Sequence, residues 1–333
     1  MNRPFALAIL CLAIVPLQAQ EIQITQFVNG WITWTNTDTA HDYDYAVEWL
    51  PNLNETNWLQ GWDSSVTPID PTMPMTKMVP TFYQVRAYPY LEPSTQADML
   101  VLYSNAMVDA AVTLSAEVWP HLTTISESNT NLEWRINAAG VKQVKVASFM
   151  KYSTATNYYP PGEHLLSYGD QWITAYPELK YFCARYRGSD PLLRIKQVLG
   201  MPPTAANDTV VEFWVSPDYL FRPTPDPEIG DTTAELVDGR NAPLMSSSFR
   251  VSPYYVEWFN NTYITRNYGM TNGVFTGYPW TRLGYTYDWA STRPPHVGLS
   301  EFVIPSGTLY TQLGVQVPIE VVRVIDAATY GKQ

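Results

Sequence analysis

Aromatic and β-branched residues alternate with polar ones in three stretches near the N-terminus: GWITWTN at 30–36, YAVEWLPNLN at 45–54 and VPTFYQVRA at 79–87. Alternation with period two is how a half-buried strand reads, because successive side chains point to opposite faces. Ile22, Ile24 and Phe27 predict an opening strand, and the pair Asn29-Gly30 predicts a tight turn. Trp31 and Thr33 then alternate with Ile32 and Trp34, and Tyr45, Val47 and Trp49 share one face of a third strand. A loop carrying Trp58, Gly61 and Trp62 follows, and Phe82 to Arg86 closes the set with Gln84 and Arg86 turned to water. Short strands over residues 20–90 predict a small β-sandwich whose large aromatic residues fill its core.

The alternation stops at Tyr88 to Thr95, where two prolines and small polar residues predict a linker, placed at 91–97. Residues 98–333 then read as one larger α+β domain. Strands are predicted at 141–151, at Trp172 to Thr174 and at Val210 to Val215, the last so apolar that it reads as a central strand buried on both faces. Asp190-Pro191 opens a helix with a capping carboxylate and a proline in the first turn, and Gly200 ends it. Ser252-Pro253 opens a second helix through Tyr255, Val256, Trp258 and Phe259, with Asn260 and Asn261 as exit signals. Strands return at Leu283 to Trp289, Leu299 to Ile304 and Val315 to Ile325. No βαβ unit, internal repeat or low-complexity tract interrupts this β-rich, two-domain expectation.

The first residues add an address. Arg3 precedes an apolar run from Phe5 to Leu17, and Leu17-Gln18-Ala19 suits a signal-peptide cleavage site, so residues 1–19 read as a secretion signal. A membrane anchor needs roughly 20 apolar residues, and this run ends sooner, in Gln18, Gln20 and Glu21. Leu10 precedes Cys11 where a lipid-anchored signal carries a small residue. The expected mature chain is therefore exported to the periplasm, the cell surface or the medium, without a transmembrane segment. Loss of Arg3 takes the 20 Lys plus Arg to 19 against 31 Asp plus Glu, a net charge of −12. That balance argues against nucleic acid and anionic membrane surfaces as partners. Only Cys183 remains after cleavage, so no intramolecular disulfide is expected.

Taken together, WTN, then VEW, then the Trp-rich loop, then VPTFYQVRA resemble the fibronectin type III-like module found near the N-terminus of exported bacterial proteins. The resemblance covers about 70 residues and implies export and display. Further on, EFWVSPDYLFRPTPDPEI, YPWTRLGYTYDW and GLSEFVI resemble, in that order, an uncharacterised exported bacterial domain family, which implies one structural unit and no activity.

Candidate chemistry lies in the second domain. Asp226, Glu228 and Asp231, on a proline-stiffened loop after Arg222, form a carboxylate set that can offer oxygen ligands to calcium, although the spacing is not that of an EF-hand. Alternation along 281–289 puts Arg282 and Asp288 on one strand face, and with Glu301 they can form a polar cleft whose Asp288 and Glu301 act as the carboxylate pair of a glycosidase. An ion network that holds strands together is the competing account. Trp58, Trp62, Trp280 and Trp289 are the rings available to stack on sugars or anchor a protein partner. No G-x-S-x-G elbow, H-E-x-x-H, G-x-G-x-x-G or P-loop pattern occurs, and Cys183 sits among apolar neighbours like an inert thiol. The sequence thus points to an exported, non-catalytic protein that binds a glycan or a cell-surface protein without a cofactor. A secreted polysaccharide hydrolase is the alternative.

Overall fold

The computed structural model describes residues 22–28, 31–38, 41–50, 75–78, 82–166, 169–234, 236, 253–267, 270–271, 274–275, 277–305 and 316–332. Five strands open the chain: β1 (Ile22–Val28), β2 (Trp31–Asn36), β3 (Tyr43–Leu50), β4 (Met75–Met78) and β5 (Phe82–Pro89). They form an antiparallel sheet ordered β1-β2-β4 and a second antiparallel pair, β3-β5. The predicted alternation holds along β2, where Ile32, Trp34 and Asn36 are buried and Trp31 is exposed. Ile32, Trp34 and Val47 make one apolar cluster, against which Ile22, Tyr45 and Val85 pack, so the two sheets share a core.

The other face of β3 is less wet than its sequence suggests. Glu48 is buried there, accepting hydrogen bonds from the Tyr88 hydroxyl and from Gln84 Nε2, each at 2.6 Å. Arg86 faces water as expected, whereas Gln84 is drawn in by that carboxylate.

The stretch predicted as a linker is structured. Strand β5 runs through Pro89, the Leu91 N–H donates to Ala290 O at 2.7 Å, and Thr95 accepts the Asp98 N–H at 3.1 Å. Thr95 thereby caps a helix the sequence reading missed, α1 (Gln96–Ala110). Its buried residues, Tyr103, Ala106, Met107 and Ala110, have helical spacing, but exposed Val101 and Val108 on the opposite side blur the pattern.

The remaining chain is built on a seven-stranded antiparallel sheet. Its members are β6 (Trp134–Ile136), β7 (Lys142–Met150), β8 (Gly162–Leu165), β9 (Gln171–Ala175), β10 (Thr209–Val215), β15 (Phe302–Ile304) and β16 (Pro318–Asp326), ordered β15-β9-β7-β10-β16-β8 with β6 also on β7. The short strands β11 (Met270–Thr271) and β12 (Val274–Phe275) pair with each other, as do β13 (Tyr285–Tyr287) and β14 (Val297–Ser300). Helices α2 (Tyr152–Tyr158), α3 (Glu178–Arg185), α4 (Pro191–Val198) and α5 (Pro253–Asn267) complete the set.

Strand β10 is central, as its apolar run predicts. Val211, Phe213 and Val215 join the cluster on one face of the sheet, and Val210 joins another with Leu179 of α3 and Ile195 and Val198 of α4. Helix α4 follows the signals read from it: Asp190 accepts the Leu193 N–H at 2.9 Å, and Gly200 has a φ of 62°. Helix α5 instead runs past Asn260 and Asn261 to Asn267. Buried Tyr255 and Phe259, one turn apart, pack on Phe221, Trp280 and Val303, and such packing overrides the weak helix-ending preference of asparagine. Among the described residues, no helix is long and apolar enough to cross a membrane.

Candidate functional site

The run from Tyr278 to Trp289 is not one strand. Arg282 and Gly284 both have positive φ, 60° and 79°, so the chain turns between Trp280 and Thr286, which form an isolated bridge. A glycine is required at 284 on two counts. A Cβ there would stand 2.7 Å from Arg222 Cδ and 2.8 Å from Leu122 Cδ1, and other residues adopt that φ at a cost.

The turn removes the alternation that would have put Arg282 beside Asp288. Arg282 Nη2 instead donates to the carbonyls of Ala110 and Ala111 at 3.2 and 3.0 Å, at the end of α1 where cations are favoured. Asp288 is gripped by the Arg194 fork, Nη1 to Oδ1 at 2.8 Å and Nη2 to Oδ2 at 2.5 Å. Asp288 and Glu301 line different cavities, so the predicted carboxylate pair is not assembled.

The tryptophans divide likewise. Trp289 is buried against Tyr103 and donates its indole N–H to Met201 O at 3.0 Å, a core role. Trp58 and Trp62 lie outside the described residues. Of the two among the described residues, Trp280 lines the cavity described below.

Asp226, Glu228 and Asp231 do meet, with ligand-type oxygens within 4.8 Å of one another. These are the residues that could hold a hard cation. Beneath them, however, Arg222 is fully buried and donates Nε to Glu228 O at 3.0 Å and Nη2 to Asp231 O and Thr123 O at 3.1 and 3.3 Å. Burial pulls its pKa down, while Asp231, Glu178, Asp226 and Glu301 support the charged form. A cation bound by the loop would sit beside this guanidinium, 4.0 Å from Asp231 Oδ1.

A cavity of about 380 Å³ is walled by β7, β9, the 199–201 turn and Tyr278 to Trp280. Its aromatic side is Trp172 and Trp280, edge to face with ring centres 5.7 Å apart, backed by Trp258 and Phe259. Its polar side begins on β9. Gln171 donates to Ser148 Oγ and accepts from the Tyr159 hydroxyl, which fixes its amide, and Asp170 accepts the Trp258 indole N–H at 2.7 Å. Two buried oxygens in the lining, Thr174 Oγ1 and Glu301 Oε1, have no hydrogen-bond partner among the described residues.

Glu301 reaches this wall because β14 and β15 break around it, its N–H donating to Gly284 O at 3.0 Å. Burial raises its carboxyl pKa well above the ordinary range, against the opposing pull of Arg222 and of the Trp280 indole. A carboxyl kept neutral in an aromatic cavity can donate a hydrogen bond to a ligand or a proton to a leaving group. Sequence reasoning singled out Trp280 and Glu301 but missed Ser148, Gln171, Trp172 and Thr174, which carry no motif and are joined only by the β7-β9 pairing. Cys183 is packed beside α4, and burial pushes its thiol up to about 12, away from the thiolate form a nucleophile uses. Set against family models, characterised proteins and solved structures, the chain matches none.

Proposed function

We propose that the protein is an exported binding protein that takes a short, neutral glycan in the cavity between β7, β9 and Tyr278 to Trp280. The observation that carries this reading is Glu301: a buried carboxyl with an unpartnered oxygen, its pKa raised by burial, set in a wall of tryptophan. Sugars present apolar faces to rings and hydroxyls to polar groups, and Trp172 and Trp280 with Glu301, Thr174 and Gln171 offer both kinds of contact. Export through the 1–19 signal and a fibronectin type III-like sandwich over 20–90, acting as a spacer ahead of the α+β part, belong to the same proposal. The acidic 226–231 loop has no part in it, since it packs over Arg222 and does not line this cavity.

Tryptophan-fluorescence titration with a panel of soluble oligosaccharides tests the reading. A saturable change is expected, and Trp172→Ala, at a half-buried ring, should weaken it by about 2 kcal/mol, a factor of ~30. Glu301→Gln keeps a neutral hydrogen-bonding group and should bind nearly as well. Equal affinity in Trp172→Ala and the parent protein would sink the proposal. A hydrolytic reading is favoured by one specific observation, the raised pKa of Glu301 with Asp170 in the same cavity. It requires reducing-sugar release that Glu301→Gln abolishes while leaving binding intact.

A further inference from the structure

A second cavity, of about 260 Å³, is lined by α3, by residues 293–300 and by Trp119 to Leu122, with Asp44 and Tyr90 from the N-terminal segment. Most of its charges are committed. Asp288 is held by the Arg194 fork, and Arg293 Nη1 donates to Asp44 Oδ2 at 2.9 Å and to Tyr45 O at 3.4 Å. Arg185, in the last turn of α3, differs: it is drawn into the cavity wall, and no hydrogen bond or ion pair engages its guanidinium among the described residues. Tyr90, Asp44, Glu178 and Asp42 act on it only through space, and burial lowers its pKa. His121 Nε2, also in the lining, is a buried nitrogen without a hydrogen-bond partner among the described residues.

A half-buried guanidinium without a protein partner keeps its donors available to a ligand, and its fork matches the two oxygens of a carboxylate. We propose that this cavity binds a small hydroxy-carboxylate, its carboxylate clasped by Arg185 and its hydroxyls met by His121 and Glu178. A single negative charge suits the site better than a phosphate dianion. Of the two arginines in the lining Arg293 is already paired with Asp44, which leaves Arg185, and Asp44, Asp288 and Glu178 share the lining. Glu178, whose Oε1 accepts the Ser300 N–H at 2.9 Å, is raised by burial to about 7 and so offers a proton to an incoming oxygen near neutrality.

Isothermal titration of the full mature protein with D-glucuronate, D-glucose and inorganic phosphate tests this. Glucuronate should bind saturably, with glucose and phosphate each about 30-fold weaker or worse, the worth of one charge-assisted bidentate pair. Arg185→Gln should lose about the same factor for glucuronate alone. Arg185→Lys, which keeps the charge but not the fork, should lose less, and it carries the test if the glutamine variant does not fold. Glucose or phosphate binding as tightly as glucuronate would overturn the proposal. So would an Arg185→Gln protein of unchanged circular dichroism and melting midpoint that binds glucuronate normally, or no glucuronate binding in the millimolar range. The neutral-glycan reading of the aromatic cavity is tested with other ligands and Trp172→Ala, so either can fail without the other.

Discussion

Glu178 shows how a residue with no sequence signature acquires a pH-sensitive carboxyl. Burial raises its carboxyl from the ordinary 4.5 to about 7, partly opposed by hydrogen bonds from Ser300 and by Arg222. The folded protein therefore holds a proton there that the unfolded chain releases above 4.5. This contribution to stability is present in full below 4.5, falls as the pH climbs, and is gone above about 7. A shift of that size corresponds to roughly 3 kcal/mol at most. Glu178→Gln keeps an oxygen for the Ser300 N–H and cannot ionise. Urea unfolding at a series of pH values should show the parent losing more stability between 4.5 and 7 than the variant, with the variant the more stable at pH 8. Parallel curves would mean that Glu178 ionises freely in the folded state.

Between elements, the Arg194–Asp288 pair ties α4 to the segment after β13, and it decides what Asp288 is for. Both side chains are buried, Arg194 also lies 4.0 Å from the Tyr90 ring centre, and Asp288 Oδ1 accepts the Ala290 N–H at 3.1 Å. Asp288→Asn would leave a buried guanidinium unpaired, and such losses run to about 3–5 kcal/mol. The expected result is a large drop in the urea midpoint, whereas an unchanged midpoint with lost ligand binding would restore Asp288 as a functional carboxylate.

The same elements show what the sequence made legible. Helix α4 and strand β10 could be read because their signals are local: a capping aspartate, a proline and a stop glycine in one, an unbroken apolar run in the other. The turn at 281–284 could not, since nothing local distinguishes a left-handed Arg282 from one in a strand, and that turn is what separates Arg282, Asp288 and Glu301. Half of the aromatic cavity stayed hidden for a related reason. Trp172 and Ser148 are brought together by pairing between strands more than 20 residues apart, which alternation within either strand does not encode.

At the scale of the molecule, polar contacts join the N-terminal strands to the remainder. Asp44 meets Arg293 at 2.9 Å, the Arg187 N–H reaches Asp42 at 3.1 Å, and Thr292 donates to Pro89 O at 2.8 Å. The apolar cluster of those strands, around Ile32, Trp34 and Val47, contains no described residue from beyond β5. Parts of a chain that share little apolar surface usually unfold separately, which is the behaviour we propose for these two. Calorimetry should then resolve two transitions. Ile32→Val removes one buried methyl group from the N-terminal cluster at a cost of about 1 kcal/mol. In a unit of about 70 residues that shifts the midpoint by roughly 4–8 °C, so the lower transition should move by that amount while the upper stays in place. A single transition that moves as a whole would instead make the polar contacts at Arg293 and Arg187 part of one cooperative core. The second cavity, which takes Asp44 and Tyr90 from one side and Arg185 from the other, would then form and melt with the entire fold.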